Sequence, residues 1–344
     1  MKRQKVLLLA GDLGATKTTL ALYDAAAWSG VPLRQHTFQN RAFADFTSLL
    51  DTFLAAEQSA PTAVCLGVAG PVVANTVTMT NLNWTIAAVD LQTRFGIERV
   101  DLINDLVATA QGALHVGPTD LHCLNRGEKQ DGAALAVLAP GSGLGEAFLL
   151  PHNGTYFAYP SEGGHVSFAP RNEEQIDLLT FMRQQHDHIS VEQVCSGLAI
   201  PCLMTFLATR EPMPDWLQAE LQQAADRTPV IVQAAIMAVR GERSCEIAVH
   251  TLNLFLDILA DEAANLVLKT LALGGVFLGG GLAPRLLPLL DPHRFMAVFA
   301  RGTYRNMLAR IPVQVIVNPQ AALLGAAAYG FQTLHQGRTD KTAP

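Results

Sequence analysis

In the first half of the chain, apolar residues fall into short continuous runs separated by glycine turns; in the second half they recur at helical spacing. Residues 6–10 form an unbroken apolar run, the pattern of a strand buried on both faces, and 18–23 read as a second strand with partial alternation. The spacing predicts a helix over 43–58, strands at 62–69 and 76–79, a loop at "TNLNW", and a helix at 89–95. A strand at 100–103 leads into a helix over 105–114, and strands at 133–139 and 147–150 flank the turn "GSGLG". Residues 173–274 are mainly helical, 246–272 being the longest periodic segment. A strand at 276–278, a glycine turn and helix in "GGGLAPRLLPLL", a strand at 313–317 and a small-residue helix at 321–332 complete the pattern. The final dozen residues, ending "GRTDKTAP", are expected to fray.

The stretch "AGDLGATKTT" lies one residue from a P-loop, with Thr16 where that motif requires glycine. A P-loop launches a helix that presents its N-terminus to phosphate, whereas here the next residues favour a strand. The element therefore reads as a β-hairpin. Its strand–glycine turn–strand layout recurs at 135–150, which fits two related halves or two unrelated glycine hairpins.

Length alters this picture first. At 344 residues the chain exceeds the ~250–300 residues at which single cores stop growing, so two domains are expected. Hydrophobic residues make up 49% and charged residues 16%, enough apolar material for both cores. A net charge of −6 and no Lys/Arg cluster argue against a nucleic-acid partner. The five cysteines, Cys65, Cys123, Cys195, Cys202 and Cys245, are dispersed without CxxC spacing and read as free thiols of a reducing compartment. The apolar run behind the basic start is too short for a signal peptide, and no stretch approaches ~18 uninterrupted apolar residues. A cytoplasmic protein with no membrane association is expected.

Candidate chemistry sits at the turns. Glycines lacking Cβ atoms let backbone N–H groups approach phosphate oxygens, so Gly11/Gly14 and Gly141/Gly143/Gly145 suit two phosphate turns, or equally two plain hairpins. Thr16 and Ser142 add hydroxyl donors, and Asp12 comes just after a strand, where a carboxylate can hold Mg²⁺. In "LINDLVATA", Asn104 and Asp105 stand where strand turns to helix; they serve either as caps or, in the case of Asp105, as a general base toward an attacking alcohol. In "PSEGGHVSF", Glu162 and His165 flank two glycines and suit a polyhydroxylated ligand; a zinc role for His165 lacks further ligands at the required spacing. His186 and His188 read as a solvated loop.

In order, GDLGATKT, VAGPV, MTNLNW, LINDLVATA, GSGLG, EGGHVSFAP, VEQVCSG and GGVFLGGGLAPR resemble the bacterial glucokinase family of the hexokinase/actin superfold, from about residue 6 to 330. The resemblance implies an α/β fold of two ribonuclease-H-like domains flanking a cleft: a small domain of 1–104 plus 318–344 and a large one of 105–317. It implies ATP-dependent phosphorylation of glucose at O6, with Asp105 as catalytic base. Asn104, Glu162, His165 and Glu192 correspond to the sugar ligands, and Asn81 borders them. Gly11, Asp12, Gly14, Thr16, Lys17, Gly141, Ser142 and Gly143 correspond to the site for ATP phosphates and Mg²⁺, with Gly280 and Gly281 on the adenosine side. A homodimer is implied as well.

The chain departs from the family pattern at several points. Ala15 stands where a second glycine is usual, Lys17 replaces an Asn, Ser142 replaces Thr, and "SGLAI" replaces Ser-Gly-Pro-Gly. Nothing in the resemblance accounts for Glu146, a negative charge directly after the second phosphate turn. A kinase of another hexose or an amino sugar remains an alternative on the same fold. So does a non-catalytic sugar-sensing regulator, against which stand Asp12, Asp105 and a first strand that begins too early to leave room for a DNA-binding module.

Overall fold

The computed structural model describes residues 6–57, 60–79 and 82–339. They form two compact units. The first comprises the chain up to Asp120, Tyr156–Pro160 and the chain from Asn318 onward; the second comprises Leu121–Thr155 and Ser161–Val317.

The first unit is built on strands β1 (Leu7–Leu13), β2 (Lys17–Asp24), β3 (Arg34–Gln39) and β4 (Ala63–Val68). A separate hairpin of β5 (Thr76–Met79) and β6 (Trp84–Ala87) precedes β7 (Arg99–Asn104). The main sheet has the order β3-β2-β1-β4-β7, with β1 and β2 antiparallel and β1, β4 and β7 mutually parallel. The turn after β1 is thus a hairpin, in keeping with the strand-forming residues 18–23. β3, RQHTFQ, was not legible because it is a largely exposed edge strand with few apolar positions. β6 begins at Trp84, inside the stretch expected to be loop.

Period-two alternation along β1 sends successive side chains to opposite faces. Leu7, Leu9 and Leu13 pack with α1 (Phe46–Leu54), α2 (Ala88–Phe95) and the β5–β6 hairpin. Leu8 and Ala10 pack under α3 (Asp105–Ala113) and the terminal α-helix Ala321–Thr339. α1 starts later than expected, at a capping box in which Asp45 and Ser48 satisfy each other's backbone N–H groups. The expected end of that helix, Gln58, lies outside the described residues.

α3 meets the terminal helix at glycine-to-backbone distance. A Cβ on Gly325 would overlap the Ala108 carbonyl oxygen, and one on Gly112 would overlap that of Ala321. This packing holds α3 in the first unit, which extends past Asn104 to Asp120. The terminal helix runs on to Thr339 instead of fraying after Gln332, and residues 340–344 lie outside the described set.

The second unit contains β8 (Leu121–Asn125), β9 (Leu135–Pro140) and β10 (Leu144–His152); β11 (Thr155–Ser161) comes after β10 in the chain. Helices α4 (Glu173–Met182), α5 (Ile200–Leu207), α6 (Asp215–Gln223), α7 (Arg227–Val239) and α8 (Glu246–Thr270) come next. They are followed by β12 (Gly275–Leu278), α9 (Pro292–Phe299), α10 (Arg305–Leu308) and β13 (Val313–Ile316), and α11 is the terminal helix (Ala321–Thr339). β9 and β10 form an antiparallel hairpin, and β12 and β13 continue from β9 in parallel. The first unit's sequence of pairings, a hairpin and then two parallel strands, is therefore repeated. A helix was expected after "GGGL", but only a single 3₁₀ turn forms at Ala283–Leu286. Pro284 is tolerated in the first turn, but Pro288 lacks the backbone donor that a continuing helix needs there.

Candidate functional site

In the first unit, two carboxylates stand at one end of the sheet. Asp12 lies near the end of β1 opposite Gly67 of β4, and Val68 of β4 pairs with Asn104, the last residue of β7. Asp105 is the next residue and the first of α3. Gly67 permits this proximity: a Cβ there would lie 2.9 Å from Ala108 Cβ and 3.9 Å from Asp105 Cα. Burial, then the negative charge of Asp105, pushes Asp12 up to about 6. Burial also raises Asp105, while the N–H of Leu106 and its own N–H favour its charged form.

Asn104 caps α3. Its Oδ1 accepts from Leu106 N–H at 2.9 Å, and its Nδ2 donates to the Gly70 carbonyl at 3.3 Å. The carboxylate of Asp105 shares the Leu106 donor at 2.9 Å. Asn104 is thus the cap of this terminus, where the partial positive charge of the helix favours an ionised Asp105.

The first glycine turn is closed by Gly14 N–H donating to the Lys17 carbonyl at 3.0 Å. Ala15, Thr16 and Lys17 are exposed along it. Gly11 lies within β1, where a side chain would press on Leu66 and Leu20, so its lack of a Cβ serves the core. Asn40, which the sequence pattern does not single out, clamps the turn from below. It is 1% exposed; its Nδ2 donates to Gly14 O at 2.9 Å, its backbone N–H to Thr16 O at 3.0 Å, and its Oδ1 accepts from Thr18 Oγ1 at 2.8 Å. An asparagine after a polar edge strand carries no pattern that would have marked it.

The second unit holds the other turns. Gly141 N–H donates to Gly143 O at 2.8 Å, leaving Ser142 exposed at the tip. Gly279 N–H donates to Leu138 O and Leu282 N–H to Pro140 O, which seats the Gly279–Gly281 turn on the strand leading to Gly141. Gly280 has φ +75° and would meet the Pro140 carbonyl oxygen at 2.7 Å if it bore a Cβ.

Glu162, His165 and Glu192 come together in this unit. His165 Nε2 lies 3.9 Å from Glu162 Oε2, and its Nδ1 lies 4.0 Å from Glu192 Oε1. Glu192 Oε2 accepts from the Leu144 N–H at 2.8 Å, joining this cluster to the Gly141–Gly143 turn. Gly143 makes room for the contact, since a Cβ there would overlap Glu192 Oε2. The "SGLAI" loop is paired to the same turn, with Gly197 N–H donating to Gly141 O at 2.7 Å and Leu198 N–H to Ser142 O at 3.3 Å. His188 Nε2 contacts Ser167 Oγ at 3.1 Å, and His186 is exposed. Asn81 lies outside the described residues.

Twice-repeated sheets of this pairing order, with acidic residues at strand ends and glycine turns after the first strand of each, define a protein of the actin/hexokinase-like fold. The chain belongs to the glucokinase family, whose model matches residues 9–333. It is 38% identical over 333 residues to a glucokinase of Nostoc punctiforme, covering 93% of this chain and 98% of the relative. A solved glucokinase from an Antarctic psychrotroph superposes with a TM-score of 0.83 at 30% identity, over 96% of this chain and all of that one. A glucokinase of the ROK family from Streptomyces griseus, solved with glucose and AMPPNP, has the same fold at TM-score 0.63 and 20% identity; the alignment covers 95% of this chain and 99% of that one. No helix among the described residues is long and apolar enough to cross a membrane.

Proposed function

We propose that this glucokinase transfers the γ-phosphoryl group of ATP to O6 of glucose, with Asp105 as the general base. The observation that carries the assignment is the neighbouring pair Asp12 and Asp105 at one end of the first sheet. Asp105 accepts the proton of the 6-hydroxyl as that oxygen bonds to the γ-phosphorus. The bond from γ-phosphorus to the β,γ-bridging oxygen breaks and ADP leaves. A carboxyl raised by burial is a better base than a fully solvated one, and Leu106 N–H fixes the orientation in which it accepts the proton.

Glu162, His165 and Glu192 hold ring hydroxyls, offering acceptors on both sides of an imidazole that donates or accepts. Asn104 borders Asp105 and shares the sugar's reactive end. The turns at Gly14–Lys17 and Gly141–Gly143 present N–H and hydroxyl donors to the phosphates, and Gly280 and Gly281 border the adenosine. The residues fit Mg²⁺: Asp12 carries a carboxylate whose charge is disfavoured by burial and then by its neighbour Asp105, a tension a divalent cation relieves. Asp12 would hold the ion largely through water, as one carboxylate plus substrate phosphates suits magnesium, and the ion would neutralise charge on the transferred group. Cytoplasmic location and a homodimer stay part of this proposal, resting on the dispersed thiols and the family likeness.

The test is a coupled assay with ATP and Mg²⁺ against glucose, mannose, fructose and glucosamine. Glucose should give the highest kcat/KM. Preference for another sugar reassigns the acceptor, and no turnover on any of them overturns the kinase reading.

A further inference from the structure

The charge that the family likeness leaves unexplained lies beneath the sugar-binding turn. Glu146 is only 1% exposed, and neither carboxylate oxygen has a hydrogen-bond partner. It projects from β10 opposite Leu138 of β9 into the space under Gly163. A Cβ on Gly163 would overlap Glu146 Oε2 and lie 2.7 Å from its Cδ, so carboxyl and glycine are matched in shape.

The turn above is the common support of the three sugar ligands. Gly163 and Gly164 separate Glu162 from His165, whose N–H donates to Glu162 O at 3.0 Å. Gly164 O in turn accepts from the Glu192 N–H at 2.8 Å. Gly164 has no room to retreat, because its Cα side faces the Leu144 carbonyl. A displacement of Gly163 is therefore transmitted to Glu162, His165 and Glu192 together.

The surroundings of Glu146 decide its charge. From α8, Glu262 faces it, with Lys269 at the end of the same helix; from the loop after Glu192, the thiol of Cys195 does so. Glu262 is itself satisfied, accepting from Asn265 Nδ2 at 2.9 Å and from Lys269 Nζ at 3.2 Å. Glu146 has no donor, and an unpaired buried carboxylate next to another is the costlier of the two to ionise. Burial first, then the Glu262 charge, pushes Glu146 up to about 7, with Lys269 pulling the other way.

We propose that Glu146, in its protonated form, is a positioning residue that holds the Glu162–His165 turn in its glucose-binding geometry, and that its ionisation loosens the turn and weakens sugar binding. The proposal rests on the glucokinase reading above. Ionisation puts an unpaired charge directly beneath Gly163, between two of the sugar ligands, so its effect falls on the KM for glucose more than on kcat.

The experiment measures kcat and the KM for glucose from about pH 6 to about pH 8.5 in the wild type, Glu146→Gln, Glu146→Ala and Glu262→Gln. Asp12 and the sugar ligands are common to all four proteins, so the difference between profiles isolates Glu146. The wild-type KM should rise with pH by about fivefold or more, the lower end of coupling between linked sites. Glu146→Gln, which mimics the protonated group, should hold the low-pH KM throughout, while Glu146→Ala should raise KM at every pH. Glu262→Gln removes the neighbouring negative charge, eases ionisation of Glu146 and should move the rise to lower pH. Superposable wild-type and Glu146→Gln profiles, or an alanine variant equal to the glutamine one, overturn the proposal and leave the kinase reading standing. If Glu146→Gln fails to fold, an unmoved inflection in Glu262→Gln overturns it instead. A wild type that phosphorylates no glucose removes both.

Discussion

Glu192 uses its two carboxylate oxygens for different tasks: Oε2 accepts the Leu144 N–H at 2.8 Å, while Oε1 faces His165 Nδ1 at 4.0 Å. One side chain thus belongs both to the proposed sugar ligands and to the turn proposed to meet the phosphates. Glu192→Ala should raise the KM for ATP as well as for glucose, with kcat/KM for glucose falling about 10- to 100-fold, the range for a lost hydrogen bond to a charged group. Steady-state kinetics with each substrate varied in turn decide this. An unchanged KM for ATP contradicts the link.

Asn40 makes an analogous clamp on the first turn, satisfying Gly14, Thr16 and Thr18. Asn40→Ala should destabilise the protein by about 1–3 kcal/mol, since it leaves buried polar groups without partners. The KM for ATP should rise with it. Urea unfolding, then kinetics at a temperature where the variant is fully folded, separate the two effects; a stable variant with a normal KM for ATP argues against the clamp.

In the proposed mechanism the acid side of the pH profile is set by Asp12 and Asp105. Both are raised by burial, and Asp12, at about 6, would have to be ionised to hold the proposed cation. kcat/KM should therefore fall as pH drops through about 6. Stability runs the other way. The folded pKa of Asp12 exceeds its unfolded value, so folding binds a proton between the two, and stability is lost as pH rises from about 4 to about 6. Above that range Asp12→Asn should unfold later in urea than the wild type without Mg²⁺, by on the order of 1 kcal/mol, while losing activity. A destabilised Asp12→Asn variant would show that the pair is not under strain.

Gly67 sets the approach of α3. Gly67→Ala places a methyl group 2.9 Å from Ala108 Cβ, which pushes the start of the helix and Asp105 outward. The expected result is a larger loss in kcat, up to about 10²-fold for a displacement near 1 Å, than in melting temperature. A variant that melts early but turns over normally would place the glycine's role in the core alone.

Much of the fold was legible because β1, β4 and β9 are buried runs whose apolar character survives without context, and β7 keeps Val100, Leu102 and Ile103. The polar edge strands β3 and β8 were not, since pairing on one side leaves their composition loop-like. The turn at residues 10–19 was readable as a hairpin because Thr18 to Tyr23 have the composition of a strand. Gly11 carries no such label: its lack of a side chain answers to Leu66 and Leu20, which only the packed sheet brings near. Asn40 and Glu146 act through contacts distant in sequence, with Gly14 and Gly163 respectively, and a lone Asn or Glu has no periodicity to betray that.

In the proposed mechanism Asp105 takes the hydroxyl proton. The direct measurement is kcat for Asp105→Ala alongside glucose affinity from the sugar-induced shift in melting temperature. The expected outcome is a fall in kcat of at least ~10²-fold, the low end for a positioned base, with glucose still bound. Turnover close to that of the wild type would contradict the assignment.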